Sequence, residues 1–183
     1  MLVLGLALGD ATAAPSLHGP QAGSVVCTTL TGTMKFDPPL TSAGTSPEVA
    51  PLRLVISGCT ASGGATPKEG HGSAAIPLHT NNCSSLTSRS KSPITLAIRW
   101  SPTTDETSEV RLAEFAPTKT AAIGFRLGGS KTTVNGSYPG SNHGASSRAT
   151  LVSSTSPSKL ASACASTKGL EVLKIVGSSL ELK

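Results

Sequence analysis

Apolar and polar residues alternate in short runs along this chain, and turn-forming residues separate the runs. In CTTLTGTMKFDPPL, residues 27–40, Leu30, Met34 and Phe36 share a parity with Val26, while Thr29, Thr31, Thr33 and Lys35 share the other. A period of two marks a half-buried strand. LRLVISG places Leu52, Leu54 and Ile56 on one face, and PITLAIRW turns Ile94, Leu96, Ile98 and Trp100 inward and Thr95, Ala97 and Arg99 outward. TAAIGFRL repeats the pattern with Ile123, Phe125 and Leu127, and EVRLAEF, SKTTVNGSY, RATLVSS and GLEVLKIVG are further strand candidates. In GHGSAAIPLHT, Pro77 predicts an edge strand or a bulge.

Between the runs, Pro38, Pro39, Pro47 and Pro51 predict a loop without regular structure over 36–51. A second long loop is predicted over 128–148, rich in Gly, Ser, Thr and Asn. SSLEL is expected to return on GLEVLKIVG as a hairpin through Gly177. Only SPSKLASACASTK reads as helical: at most one short helix near 157–168, capped by Ser156 or Ser158 and left at Gly169. About ten short strands and almost no helix predict an all-β fold, a single-domain antiparallel β-sandwich of immunoglobulin-like or jelly-roll-like kind over residues 24–183.

Composition sharpens the picture. Of 183 residues only 3% are aromatic and 14% charged, while Ser and Thr make up about a quarter, so the core is expected to be aliphatic. The net charge is +5, but Arg53, Arg89, Arg99, Arg111, Arg126 and Arg148 never form a run. Nucleic-acid binding calls for clustered cations with stacking aromatics, so no nucleic-acid partner is expected. MLVLGLALGDATA, residues 1–13, reads as the remnant of a secretory signal peptide, with an apolar stretch and a small-x-small cleavage pattern. No later run reaches the ~20 apolar residues of a membrane helix. A secreted, extracellular protein is the expectation.

The cysteines agree with that compartment. Cys27, Cys59, Cys83 and Cys164 lie too far apart for a zinc ribbon, and disulfides are the economical reading. Four cysteines allow three pairings. Cys27 is out of phase with Leu30 and Met34, and Cys59 is out of phase with Leu52, Leu54 and Ile56. Two cysteines displaced alike are placed to meet on a secondary face or at a bulge at Thr28-Thr29. This favours Cys27–Cys59 and Cys83–Cys164.

The segments CTTLTGTMKFDPPL, LRLVISGC, ITLAIRW and SACASTKGLEVLKIVGSSLEL resemble those of small secreted actinobacterial proteins of unknown function. The shared marks are a cysteine before the G-x-M-K-F-x-P-P-L opening, an S-G-C element, a Trp closing a strand and a C-x-x-x-x-G-L ending. The resemblance implies an exported, disulfide-bonded, mostly β protein with no assigned catalytic residues to carry over.

Candidate chemistry is sparse. A serine hydrolase needs a nucleophile, a base and an orienting acid, but the G-x-S-x-G elbow is missing and GSNHG, residues 140–144, carries Asn142 at its centre. His143 is the one general-base candidate, and a solvent-exposed loop histidine is the favoured alternative. His71 and His79 would stand about 26 Å apart on one strand, so no metal site is expected. Asp105, Glu106 and Glu109 read as a solvated acidic turn. No cofactor and no enzymatic activity are expected. A non-catalytic extracellular binding or structural module fits best, with an apolar-ligand carrier, and then a cell-wall-directed hydrolase, as alternatives. Sandwiches display recognition loops on a rigid frame, and Tyr138, Asn142 and His143 form the candidate binding loop, with Tyr138 as the displayed aromatic. The expected partner is a cell-wall glycan or an extracellular protein.

Overall fold

A computed structural model describes residues 22–90, 92–102, 106–117, 123–129, 131–140 and 143–183, except the Phe115 side chain. The signal-like residues 1–13, Asp105 and Asn142 lie outside these. Among the described residues eleven strands follow in order: β1 (Ser24–Leu40), β2 (Glu48–Ser62), β3 (Glu69–Leu78), β4 (Ile94–Ser101), β5 (Thr107–Leu112), β6 (Glu114–Pro117), β7 (Gly124–Gly128), β8 (Thr133–Gly136), β9 (Arg148–Val152), β10 (Leu170–Ile175) and β11 (Ser179–Leu182). The pairing path is β6-β7-β9-β11-β1-β2-β3-β4-β5-β8, with β10 also on β1, and every strand pair is antiparallel. From β1 to β5 the neighbours follow chain order, a meander, and the sheet encloses one aliphatic core. The all-β antiparallel class expected from the alternation is what forms. No helix of the described residues is long and apolar enough to cross a membrane.

The phase of Cys27 has a structural cause. Along β1 burial falls on Val25 and Cys27, then switches parity to Leu30, Met34 and Phe36, with Thr28 and Thr29 both exposed. Val26, which shares the parity of Leu30, is only half-buried. On β2 Ile56 is buried, and beyond it the half-buried residues are Ser57, Cys59 and Ala61. On the other side of β1, burial passes from Leu173 and Ile175 to Leu180 and Leu182 across exposed Val176 and Gly177. Yet across this level the registers do not slip: Val25 faces Ala61 and Met34 faces Leu52, while Gly32 faces Ile175 and Cys27 faces Leu180. Neighbouring strands therefore reverse their pleat at one level, and both halves still face one core. This is a crease of the kind that lets a sheet fold over itself. Gly58 permits it on β2, with φ of 64° and a position where a Cβ would come within 2.5 Å of Thr28 Oγ1. Cys27 thus belongs to the core, not to a secondary face, and lies directly opposite Cys59 with 3.9 Å between Cα atoms.

Three expectations change. β1 continues through Pro38 and Pro39, and β2 already begins at Glu48, because the fixed φ of proline suits extended backbone where a ladder partner is missing. The β1 partners of β2 end at Leu52, one residue short of Pro51, and the β4 partners of β3 end at Ala74, short of Pro77. So Pro77 marks a local edge within an interior strand. Lastly, β10 and β11 do not form a hairpin. Both run antiparallel to β1 in the same register, as one strand broken at Val176–Ser178, where Gly177 takes φ of 63°.

One helix, α1 (Pro157–Ala165), forms where expected, with Ser156 Oγ accepting from Lys159 N at 3.3 Å and proline in the first turn. A 3-10 helix, Cys83–Thr87, sits opposite it, and the Cys83–Cys164 disulfide joins the two.

At the end of β11, Glu181 accepts from Lys183 Nζ at 2.8 Å and from Arg148 at 2.9 Å. These bonds hold its carboxyl below the ordinary glutamate pKa. A depressed carboxylate contributes stability above its unfolded pKa and loses it as pH falls through the folded value. Glu181→Gln is therefore expected to cost about 0.5–1 kcal/mol at neutral pH. That difference should vanish in acid, as read by urea denaturation at a series of pH values; a difference that persists at the lowest pH would rule out the ion pairs as its source.

Candidate binding face

The described side chains of the candidate loop, Tyr138 and His143, do not come together as a site. Tyr138 takes φ of 56° and turns its ring into the core, fully buried, edge-on to Trp100 at 5.4 Å between centroids and 82° between planes. Its hydroxyl donates to Ala65 O at 2.6 Å. Burial, and then the charge of Glu106, push the phenol pKa up to about 12. The displayed aromatic expected at Tyr138 is thus a core residue. His143 is exposed, with φ of 49°, and its carbonyl accepts from Val134 N on the outer edge of β8. The described residues of 128–148 hold β8 and bury Thr132, Val134, Ser137 and Ser147. Glu106 is also buried, unlike the solvated turn expected of it.

What the loop lacks, the outer face of the meander supplies. Antiparallel register places Arg53, Ser73 and Ala97 in one cross-strand row and Val55, His71 and Arg99 in the next. Directly opposed residues share a face, so these six make one patch over β2, β3 and β4. Arg53 and Arg99 occupy diagonal corners, ~12 Å apart from strand and residue spacings. The patch floors an open groove of about 550 Å³ bounded by Thr33 on β1. Ser73 and Ala97 contribute small side chains to the groove, and His71 stands beside Arg99 in its lining.

The two arginines of this face differ from others in the molecule. Arg89 pairs with Glu114 and Arg148 with Glu181, whereas Arg53 and Arg99 have no ion pair among the described residues. Each keeps a fork of N–H donors facing water. The nearest acids in the register are Glu69, whose carboxylate lies 2.8 Å from His71 Nε2, and Glu109, beside Ala97 on β5. In the same row as Arg53, Lys174 stands opposite Thr33 and extends the basic line onto β10.

The chain places Arg53, His71 and Arg99 far apart, each at an ordinary polar position of its strand. Only the pairing of β2 with β3 and β3 with β4 assembles them. The available signal was the outward parity of Arg53 and Arg99 on two well-marked strands.

A second concavity, of about 390 Å³ and mostly apolar, lies at the Cys83–Cys164 disulfide between Leu86, Pro117, Ile123 and Leu160. Among the described residues no three His, Cys, Asp or Glu side chains gather as a metal site would require. No family model matches the chain, and neither a curated protein nor a solved structure does.

Proposed function

We propose that the protein is a secreted, non-catalytic binding module that presents the outer face of its meander to an extracellular glycan. The observation that carries this reading is the pair of arginines without ion pairs that border one open groove on rigid strands. Strands hold such groups more precisely than loops do. Two disulfides suit an oxidising compartment. In a sedimentation assay with isolated cell envelopes, the oxidised protein is expected to pellet with the insoluble fraction and release no soluble sugar or peptide. Release that grows with time would make it a hydrolase instead.

The apolar concavity beside Cys83–Cys164 favours a second reading, an apolar-ligand carrier, since its volume falls within the range of small-molecule sites. Displacement of a fluorescent lipid analogue by a fatty acid, abolished by Leu160→Arg, is the result that reading requires.

A further inference from the structure

We infer that the ligand of the outer face is an anionic polysaccharide lying across the strands, its carboxylate or sulfate groups seated on Lys174, Arg53 and Arg99. This rests on the binding-module reading and adds the class of ligand. Neutral sugars are commonly held by stacking on displayed aromatic rings. Here Phe36, Trp100, Phe125 and Tyr138 are all buried, so the described side chains offer no such platform. The same lack disfavours single-stranded nucleic acid, whose bases need rings to stack on. What the face offers is charge: Lys174 on β10, Arg53 on β2 and Arg99 on β4, one cation on every second strand and so ~10–12 Å apart.

That spacing suits a chain with a charge repeated along it better than one compact anion. An arginine fork takes a carboxylate or sulfate through two parallel N–H bonds. Thr33 and Ser73 place hydroxyls between the cations, on the floor where the uncharged part of each sugar would lie. Glu109 closes the track on the β5 side by repulsion, and Glu69 is turned to His71.

The test is titration of the oxidised protein with a heparin hexasaccharide, a galacturonate hexamer, neutral maltohexaose and a single-stranded DNA oligonucleotide. One or both anionic sugars should bind, the sulfate and carboxylate arms telling which group is read, and maltohexaose should not. Raising salt from about 0.05 to 0.3 M should weaken binding severalfold. Arg53→Ala/Arg99→Ala should lose at least tenfold. Arg126→Ala/Lys159→Ala, which removes the same charge from β7 and α1, should lose less than twofold. Equal losses in the two double variants would reduce the effect to net charge and overturn the site. DNA binding as tight as the sugars, and lost in the same variant, would overturn the polysaccharide. Envelope binding without binding of either anionic sugar would overturn the ligand class and leave the module reading standing, whereas loss of both would remove both.

Discussion

Cys83→Ala/Cys164→Ala is expected to lower the stability of the oxidised protein by about 4.5 kcal/mol, the figure the chain-entropy account assigns to a link across 81 residues. The link encloses β4 to β9, most of the second half of the fold. Without it the unfolded chain regains the freedom of that long loop, while the folded chain loses the clamp between the 3-10 helix and α1. α1 itself has little else to hold it. In α1 only Leu160 and Cys164 are buried, and the backbone ties nearby are Cys83 N to Thr41 O at 3.0 Å and Ser42 N to Cys164 O at 2.9 Å. Cys27→Ala/Cys59→Ala opens a shorter loop, of 32 residues, whose closure is worth about 3.7 kcal/mol by the same account. Its two strands also remain zipped on both sides of the bridge. Guanidinium denaturation of both double variants against the oxidised parent measures the order. A larger loss from the Cys27–Cys59 pair would show that packing at the crease outweighs loop closure.

The alternation of Leu52–Ile56 and Ile94–Trp100 was enough to find β2 and β4, because a strand with one face in a core repeats every two residues whatever it pairs with. The cysteine pairing was legible for a related reason: equal phase errors at Cys27 and Cys59 reflect one crease that crosses both strands. What could not be read was anything set by partners distant in sequence. Pro51 and Pro77 look like strand breakers until the neighbouring strands are known to end beside them. Gly177 looks like a hairpin turn, but β1 is long enough to take both flanking strands on one edge. The basic face is the extreme case, since Arg53, His71 and Arg99 are separated by whole strands and loops and meet only through the meander register. Tyr138 misleads for a local reason: a Gly-, Ser- and Asn-rich segment predicts exposure, yet a left-handed φ turns its ring inward.

Tyr138→Ala is expected to cost about 4 kcal/mol, in the range for emptying a buried aromatic site. The ring closes the core against Trp100, whose indole N–H donates to Ser108 Oγ at 2.8 Å, and Ser108 in turn donates to Ser137 O beside Tyr138. Gly70 shows how tightly Trp100 is held: a Cβ there would stand 2.8 Å from the indole ring. Alanine removes the ring, the edge-on contact and the hydroxyl bond to Ala65 O, but keeps a Cβ at φ of 56°. Tyr138→Gly should therefore be less damaging than Tyr138→Ala by about 1 kcal/mol, an inversion of the usual order that reports the left-handed backbone. Tyr138→Phe keeps the ring and should lose about 1 kcal/mol, the net worth of one hydrogen bond. It should also flatten the fall in stability above pH 10. Because the native phenol titrates near 12 and the unfolded one near 10, the parent is unaffected by this group below pH 10 and weakens between the two values. Thermal melts of the three variants across neutral and alkaline pH measure all of this. Tyr138→Phe should also bind anionic oligosaccharide as the parent does. A phenylalanine variant with parental stability and impaired binding would return Tyr138 to the role of a displayed contact and remove the case for the sheet face.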